Sequence, residues 1–312
     1  MKFKDLHVSV FGAVMGIAGL GLALRAAAPL FPGVVRAPAY VSEPVVLLGV
    51  VALAILLVCY AIKIFRFPGE VKQDLTNPAT LGFCAAMPVG VTLVAGGLAP
   101  YLPVLSNILW WIGCLGLAAL QVWGVVRWLD GKVPLDKLNA GWLILVVGGI
   151  VVPGGGFGVG EAEAARFFFG ASACGAVLLL PLLLARAALA APLPEALRPT
   201  WFILLVPPSL IYAHGLAFYP QAPFLESLYF AALLACSGLA FHARRFWRWP
   251  FGPAWWAFTF PLDALAYAAT RYAQDHPSTP ARAVAGAALS AAALVVATVL
   301  ARSLAHLFSK RL

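Results

Sequence analysis

Apolar runs of about twenty residues recur along the whole chain, and no other sequence feature restricts the fold as much. A helix needs about 20 mostly apolar residues to cross a bilayer. Such runs fall at 8–28, 44–65, 79–98, 102–128, 139–158, 164–188, 200–218, 223–246, 254–273 and 281–306. Ten spans with short connections use nearly all 312 residues. Composition agrees: 62% hydrophobic and 11% charged, against about 45–50% and about 25% in soluble domains. Mean hydropathy is +0.93. These values exclude a water-soluble enzyme, a disordered chain and a nucleic-acid-binding protein, despite the net charge of +9. The expected fold is an all-α polytopic membrane protein, one transmembrane domain over 1–312, with ten helices paired as five hairpins.

Two features imitate other architectures. Lys2 and Lys4, an apolar run and Ala26-Ala27-Ala28 resemble a signal peptide. The run from Val8 to Leu24 exceeds a typical signal core, so an uncleaved first helix is expected. The five cysteines (Cys59, Cys84, Cys114, Cys174 and Cys236) each sit inside an apolar stretch. They read as small packing residues rather than disulfide or zinc positions.

The basic residues set an orientation. Ten spans put Lys2, Lys4, Lys63, Arg66, Lys72, Arg127, Lys132, Lys137, Arg186, Arg198, Arg244, Arg245, Arg248, Arg302, Lys310 and Arg311 on the side of both termini, 16 of the 21 Lys and Arg. Arg25, Arg36, Arg166, Arg271 and Arg282 fall opposite. The positive-inside rule then places both termini in the cytoplasm.

Proline separates two kinds of span. Spans 3, 5, 7 and 9 carry it in or near their interior, at Pro88, Pro153, Pro207-Pro208 and Pro261. Spans 2, 4, 8 and 10 carry it near their start, at Pro44, Pro103, Pro223 and Pro280, and Pro181 in span 6 is the exception. Interior proline breaks a hydrogen bond and kinks a helix, whereas first-turn proline does not. Span 1 has Gly12, Gly16, Gly19 and Gly21 instead. Broken backbone at membrane depth survives only inside protein or along a wet cavity. Two concentric rings follow, with kinked odd helices around a central pore and straighter even helices outside. Ordinary kinks are the plainer alternative.

Four segments then carry a resemblance: Phe11-Gly12 with Gly16, Met87-Pro88, Val151-Val152-Pro153, and Trp255-Trp256-Ala257-Phe258-Thr259-Phe260-Pro261. Together they resemble the tellurite-resistance/dicarboxylate transporter family, which includes bacterial TehA, the guard-cell slow anion channels of plants, and fungal malate and sulfite transporters. The resemblance covers nearly the whole chain, and the ninth-span segment is its most specific part. It implies five hairpins about a quasi-five-fold axis, a pore in each protomer, a homotrimer, and a gate formed by a phenylalanine of the ninth helix, here Phe260. Two departures touch local pore shape: Ala13-Val14 stand where TehA has a proline, and Gly154–Gly156 follow Pro153.

The implied function is an anion channel passing small monovalent anions in a bacterial inner membrane. The alternative is a proton-linked carrier of C4-dicarboxylates such as malate and succinate, or of sulfite. Partners are small inorganic anions or small carboxylates and membrane lipids, with no nucleic acid. Pore-lining or kink positions are Gly12, Gly16, Pro88, Pro153, Pro207, Pro208 and Pro261. No Lys or Arg lies in the middle of an odd span. Selectivity is therefore expected from a cytoplasmic collar of Arg66, Lys72, Arg127, Arg244, Arg245 and Arg248, from dehydration cost, and from the positive edge of the Phe260 ring. The collar also has a plain topological reading.

Asp263 lies three residues beyond Phe260, on roughly the same face. A carboxylate at this depth is costly. Asp263 and His214, a candidate partner for it, are taken as candidates for proton coupling or gating, with a structural hydrogen-bonding role as the alternative for Asp263. No cofactor or metal is expected. Only His214 of five histidines lies clearly within a span, so no bis-histidine haem site forms. Ser209 and His214 are five residues apart and point apart, which argues against a membrane hydrolase. Trp128, Trp142, Trp201, Trp247, Trp249 and Trp255 read as an interfacial aromatic belt.

Overall fold

The computed structural model describes residues 3–32, 38–156 and 161–309. Lys2, Arg36, Lys310 and Arg311 of the charge count lie outside the described residues. Among those described, secondary structure is helical throughout. The helices are α1 (Gly12–Ala27), α2 (Pro38–Arg66), α3 (Pro68–Thr76), α4 (Pro78–Cys84), α5 (Ala86–Leu98), α6 (Pro103–Leu129), α7 (Gly141–Val147), α8 (Pro153–Gly156), α9 (Ala162–Leu189), α10 (Val206–Phe218), α11 (Phe224–His242), α12 (Thr259–Asp275) and α13 (Thr279–Ser309).

Helix contacts close a ring. Helix α1 packs on α5 and α12, α4 packs on α7, the 3-10 turn Gly148–Val151 packs on α10, and α10 packs on α12. Each of the outer helices α2, α6, α9, α11 and α13 packs on its own inner partner and also on the next one round: α2 on α5, α6 on α7, α9 on α10, α11 on α12, and α13 on α1. An outer helix therefore covers each groove between inner neighbours. Burial follows this layering. The apolar windows of the inner segments Val8–Ala27, Pro78–Leu98 and Glu195–Phe218 are 61–89% buried, and those of the outer helices 17–33%.

Eight helices among the described residues are long and apolar enough to cross a membrane. The fifth and ninth expected spans fall short for physical reasons. Gly141–Gly155 is apolar but shorter, because its helix gives way at Gly148 to a 3-10 turn. In the ninth, α12 has 17 residues and carries Asp263, Arg271 and Asp275.

The prolines correct the expectation of interior kinks. Each inner segment begins as 3-10 or separate helix and restarts as α-helix. Val8–Phe11 precedes α1, α4 precedes α5, Gly148–Val151 precedes α8, Glu195–Leu205 precedes α10, and Pro253–Phe258 precedes α12. Pro88, Pro153, Pro207, Pro208 and Pro261 all fall within the first three residues of the restarted helix. There the missing N–H has no intrahelical partner to lose. The break thus precedes the restarted helix, as a 3-10 segment in four of the inner segments and as the junction at Ala85 between α4 and α5 before Pro88. One such segment runs for eleven residues, where 3-10 helix rarely exceeds about four. Pro44 also differs from expectation, lying inside α2.

Side chains donate to carbonyls of the most broken segment. Gln121 Nε2 donates to Val146 O (3.2 Å), His214 Nδ1 to Ile150 O (2.7 Å) and Trp110 Nε1 to Val152 O (3.0 Å). At the opposite end of the bundle, Lys63 Nζ lies 2.6 Å from Asp74 Oδ2 and donates to Leu6 O (2.9 Å), while Tyr60 donates to the same carboxylate oxygen (3.1 Å). Lys63, counted above as a topogenic charge, is instead a buried cross-link between α2, α3 and the N-terminal segment. The aromatic belt is also revised. Trp142, Trp249 and Trp255 are buried, and the indole N–H groups of Trp142 and Trp255 donate to Pro78 O and Pro250 O. Trp247 remains exposed.

Trp110→Phe removes the buried indole donor from the Val152 carbonyl, which keeps only the Gly155 N–H (3.2 Å), and should lower thermal stability in detergent by about 1 kcal/mol. Trp123→Phe removes an exposed bond to Leu75 O and should cost less. Equal losses would contradict the role given to Trp110.

Candidate pore

Two cavities lie along the axis of the ring. The first, about 40 Å3, is bounded by residues from all five inner segments, among them Ser9, Gly12, Ala86, Val147, Val206 and Trp256. Ser9 is its one hydroxyl-bearing residue, and no charged residue lines it. The second, about 270 Å3, lies toward the C-terminal ends of the inner helices and again touches all five. Its polar lining is Arg25, Thr92, His214, Asp263 and Tyr267. Phe260 and Val151 line both cavities. The ring of Phe260, 7% exposed, therefore stands at the level where one cavity gives way to the other.

Two glycines of α1 place that ring. A Cβ on Gly16 would sit 2.0 Å from Thr259 Oγ1, and one on Gly19 would sit 2.9 Å from Phe260 Cδ2 and 3.0 Å from Asp263 Oδ2. Only glycine lets α1 and α12 approach this closely. Thr259 Oγ1 donates to Trp256 O (2.7 Å), which ties the helix start to the 3-10 segment before it.

The other expected positions divide. Gly12, Pro207 and Pro261 line the first cavity. Gly16 packs on Thr259 instead, and Pro88 faces outward, against Gly113 and Gly116 of α6. Pro153 and Pro208 line neither cavity. At three helix restarts the first N–H is already used: Gly12 bonds Ser9 O, Val206 bonds Ile203 O, and Thr259 bonds Trp256 O.

Asp263 is 1% exposed, and neither carboxylate oxygen has a hydrogen-bond partner. His214 shares its cavity but does not pair with it. A carbonyl only accepts, so Nδ1 carries the proton given to Ile150 O, and Nε2 is the free nitrogen, next to Gly154. At the first cavity, His7 Nδ1 accepts from the Ser9 N–H (3.1 Å) and lies 2.6 Å from Ser9 Oγ. Burial pulls His7 below its ordinary value, Asp74 opposes this and Lys63 reinforces it, which fits a ring nitrogen that accepts. The collar stays apart. Arg66, Lys72, Arg244, Arg245 and Arg248 are exposed, Arg127 donates to Thr76 O (2.8 Å), and none of the six lines a cavity.

Arg25 is the charged lining residue of the second cavity that sequence reasoning missed. The stripe Gly19, Leu22, Ala23 and Ala26 faces the second cavity with helical spacing, and Arg25 flanks it. Its partner Glu43 is on α2 (2.7 Å), a pairing no local pattern announces. Among the described residues, no three His, Cys, Asp or Glu side chains converge as metal ligands.

Comparison with known proteins adds a family. The profile of SLAC1, voltage-dependent anion channel, matches residues 5–304. The chain is similar to the S-type anion channel SLAH3 of Arabidopsis thaliana, at 24% identity over 97% of this chain and 49% of that protein. It is similar to the guard cell S-type anion channel SLAC1 of the same plant, at 25% identity over 94% and 56%. A tellurite resistance protein TehA homolog of Haemophilus influenzae is 27% identical over 65% and 61%. The chain spans about half the length of the plant relatives it matches.

Gly19→Ala should destabilise the protein by about 1–3 kcal/mol through overpacking, and the loss should shrink in a Phe260→Ala background. Thermal unfolding of the four proteins measures this coupling. Equal losses in both backgrounds would show that the ring does not lie against Gly19.

Proposed function

The chain belongs to the SLAC1 family of voltage-dependent anion channels, and from that premise we propose that it passes small monovalent anions along the axis of its inner ring, with Phe260 as the gate. The observation that carries this reading is the position of Phe260, which lines both axial cavities. A ring across a narrow apolar passage closes it sterically and keeps it dry, as hydrophobic constrictions do in channels. The lining of the first cavity, uncharged and nearly all apolar, favours weakly hydrated anions such as nitrate. The collar of Arg66, Lys72, Arg127, Arg244, Arg245 and Arg248 raises the local anion concentration, an effect that salt screens. The excess of basic residues on the side of the termini supports cytoplasmic termini. The proposed assembly is a homotrimer, each protomer with its own pore, in a bacterial inner membrane.

A second reading is favoured by one observation. Asp263, unpartnered and buried beside the gate, is the group a proton-linked carrier of C4-dicarboxylates or sulfite would use, with His214 in the same cavity.

Phe260→Ala should raise nitrate current severalfold in planar bilayers. Unchanged current in a well-folded variant would remove the gate assignment. Proton coupling is read separately, in proteoliposomes. If the channel reading holds, flux follows the anion gradient and ignores a pH gradient, with or without Asp263→Asn. A pH-driven flux abolished by that substitution would establish the carrier instead.

A further inference from the structure

The second cavity holds a charged residue that the gate does not use. Arg25 Nε donates to Glu43 Oε1 (3.0 Å), and Nη2 donates to Glu43 Oε2 (2.7 Å) and to Gly97 O (3.0 Å). A guanidinium carries five N–H donors in a fixed fork. These three bonds leave Nη1 with no hydrogen-bond partner among the described residues, while the side chain lines the cavity. Among the other polar groups there, the Tyr267 hydroxyl is a neutral donor and His214 Nε2 an acceptor, so neither brings a positive charge to an anion. Thr92 Oγ1 donates to Val89 O (2.8 Å) and His214 Nδ1 to Ile150 O. Asp263 would repel an anion whenever it is ionised, and it lies against Gly19. Arg25 is six residues further along α1, about 9 Å at 1.5 Å per residue. The end of the cavity beside Arg25 is therefore where an anion meets a cationic donor, about two helical turns along α1 from the level of Asp263.

We infer that Arg25 is the anion-binding residue of this cavity, and that Glu43 sets its strength. The inference rests on the channel reading and assigns the site within it. Conduction needs a site strong enough to draw an ion in and weak enough to let it leave. A bare guanidinium in a part-buried cavity would hold an anion too long. Glu43 neutralises the charge and occupies two of the guanidinium nitrogens, so the remaining Nη1 group binds an anion weakly. The ligand is a small monovalent anion that accepts hydrogen bonds, for which nitrate is the probe.

The test uses the Phe260→Ala protein so that current is measurable, and compares nitrate concentration–conductance curves. Glu43→Gln should lower the half-saturating nitrate concentration about tenfold, as a charge-assisted hydrogen bond of this size implies, and should also lower the maximal current. Arg25→Gln combined with Glu43→Gln should raise the half-saturating concentration above that of the parent. Arg25→Lys combined with Glu43→Gln should keep saturation, which separates binding from loss of fold. Identical half-saturating concentrations across these proteins would overturn the inference while leaving the channel reading intact. Absence of anion current in Phe260→Ala would overturn the channel reading. The site is then read by thermal unfolding in detergent: nitrate should stabilise the Glu43→Gln protein and not the Arg25→Gln/Glu43→Gln protein, and equal shifts would overturn it.

Discussion

Backbone interrupted at membrane depth must find its hydrogen bonds inside the protein, and the rest of this structure is arranged around that requirement. Five inner segments change from 3-10 or separate helix to α-helix at their restarts. Each is shielded by an outer helix that also covers the seam to the next inner segment. The segment 141–156 shows the cost and its remedy most plainly, with Gln121 and Trp110 of outer helix α6 and His214 of inner helix α10 each donating to one of its carbonyls. The outer ring is thus more than a contact with lipid, because it supplies donors that let the inner ring stay broken. In return the inner ring keeps an axis occupied by cavities rather than by packed side chains.

Charge is kept off the narrow part of that axis. The first cavity has no charged lining residue, and two ion pairs, Lys63–Asp74 and Arg25–Glu43, flank the axial region from opposite ends. The first is buried and bonded to three elements, so it holds the base of the bundle together. The second is partly open, with side chains 23% and 19% exposed, and its Arg25 lines the larger cavity. Burial separates a cross-link from a group that can meet an ion.

The layering was legible in the sequence because proline and glycine punctuation repeats once per hairpin, and this survives whatever the exact helix ends. Phe260 was legible only through the resemblance of its Trp-Trp-Ala-Phe-Thr-Phe-Pro context, since one phenylalanine among twenty has no distinguishing chemistry. The prolines were misplaced within their helices because a sequence does not announce the 3-10 segment or separate helix that precedes each restart. Trp142 and Trp255 were assigned to the interface because tryptophan near a helix end has that preference, and tertiary packing overrode it. Arg25 and Lys63 were counted only toward orientation because their partners, Glu43 and Asp74, lie on other helices, and ion pairs between helices leave no trace in local spacing. His214 was matched to Asp263 because it alone of the histidines lies clearly within a span, whereas the broken backbone of a neighbouring segment claims its proton.

The central claim is that Phe260 separates two cavities that are otherwise continuous along the axis. The most direct test places a cysteine in the second cavity by Ala264→Cys, in a protein without its native cysteines. A small methanethiosulfonate reagent is applied only from the side that carries the N-terminal ends of the inner helices, and the rate of modification is measured. With Phe260 present the rate should be negligible, and with Phe260→Ala the thiol should react readily. Equal rates in the two proteins would contradict the account.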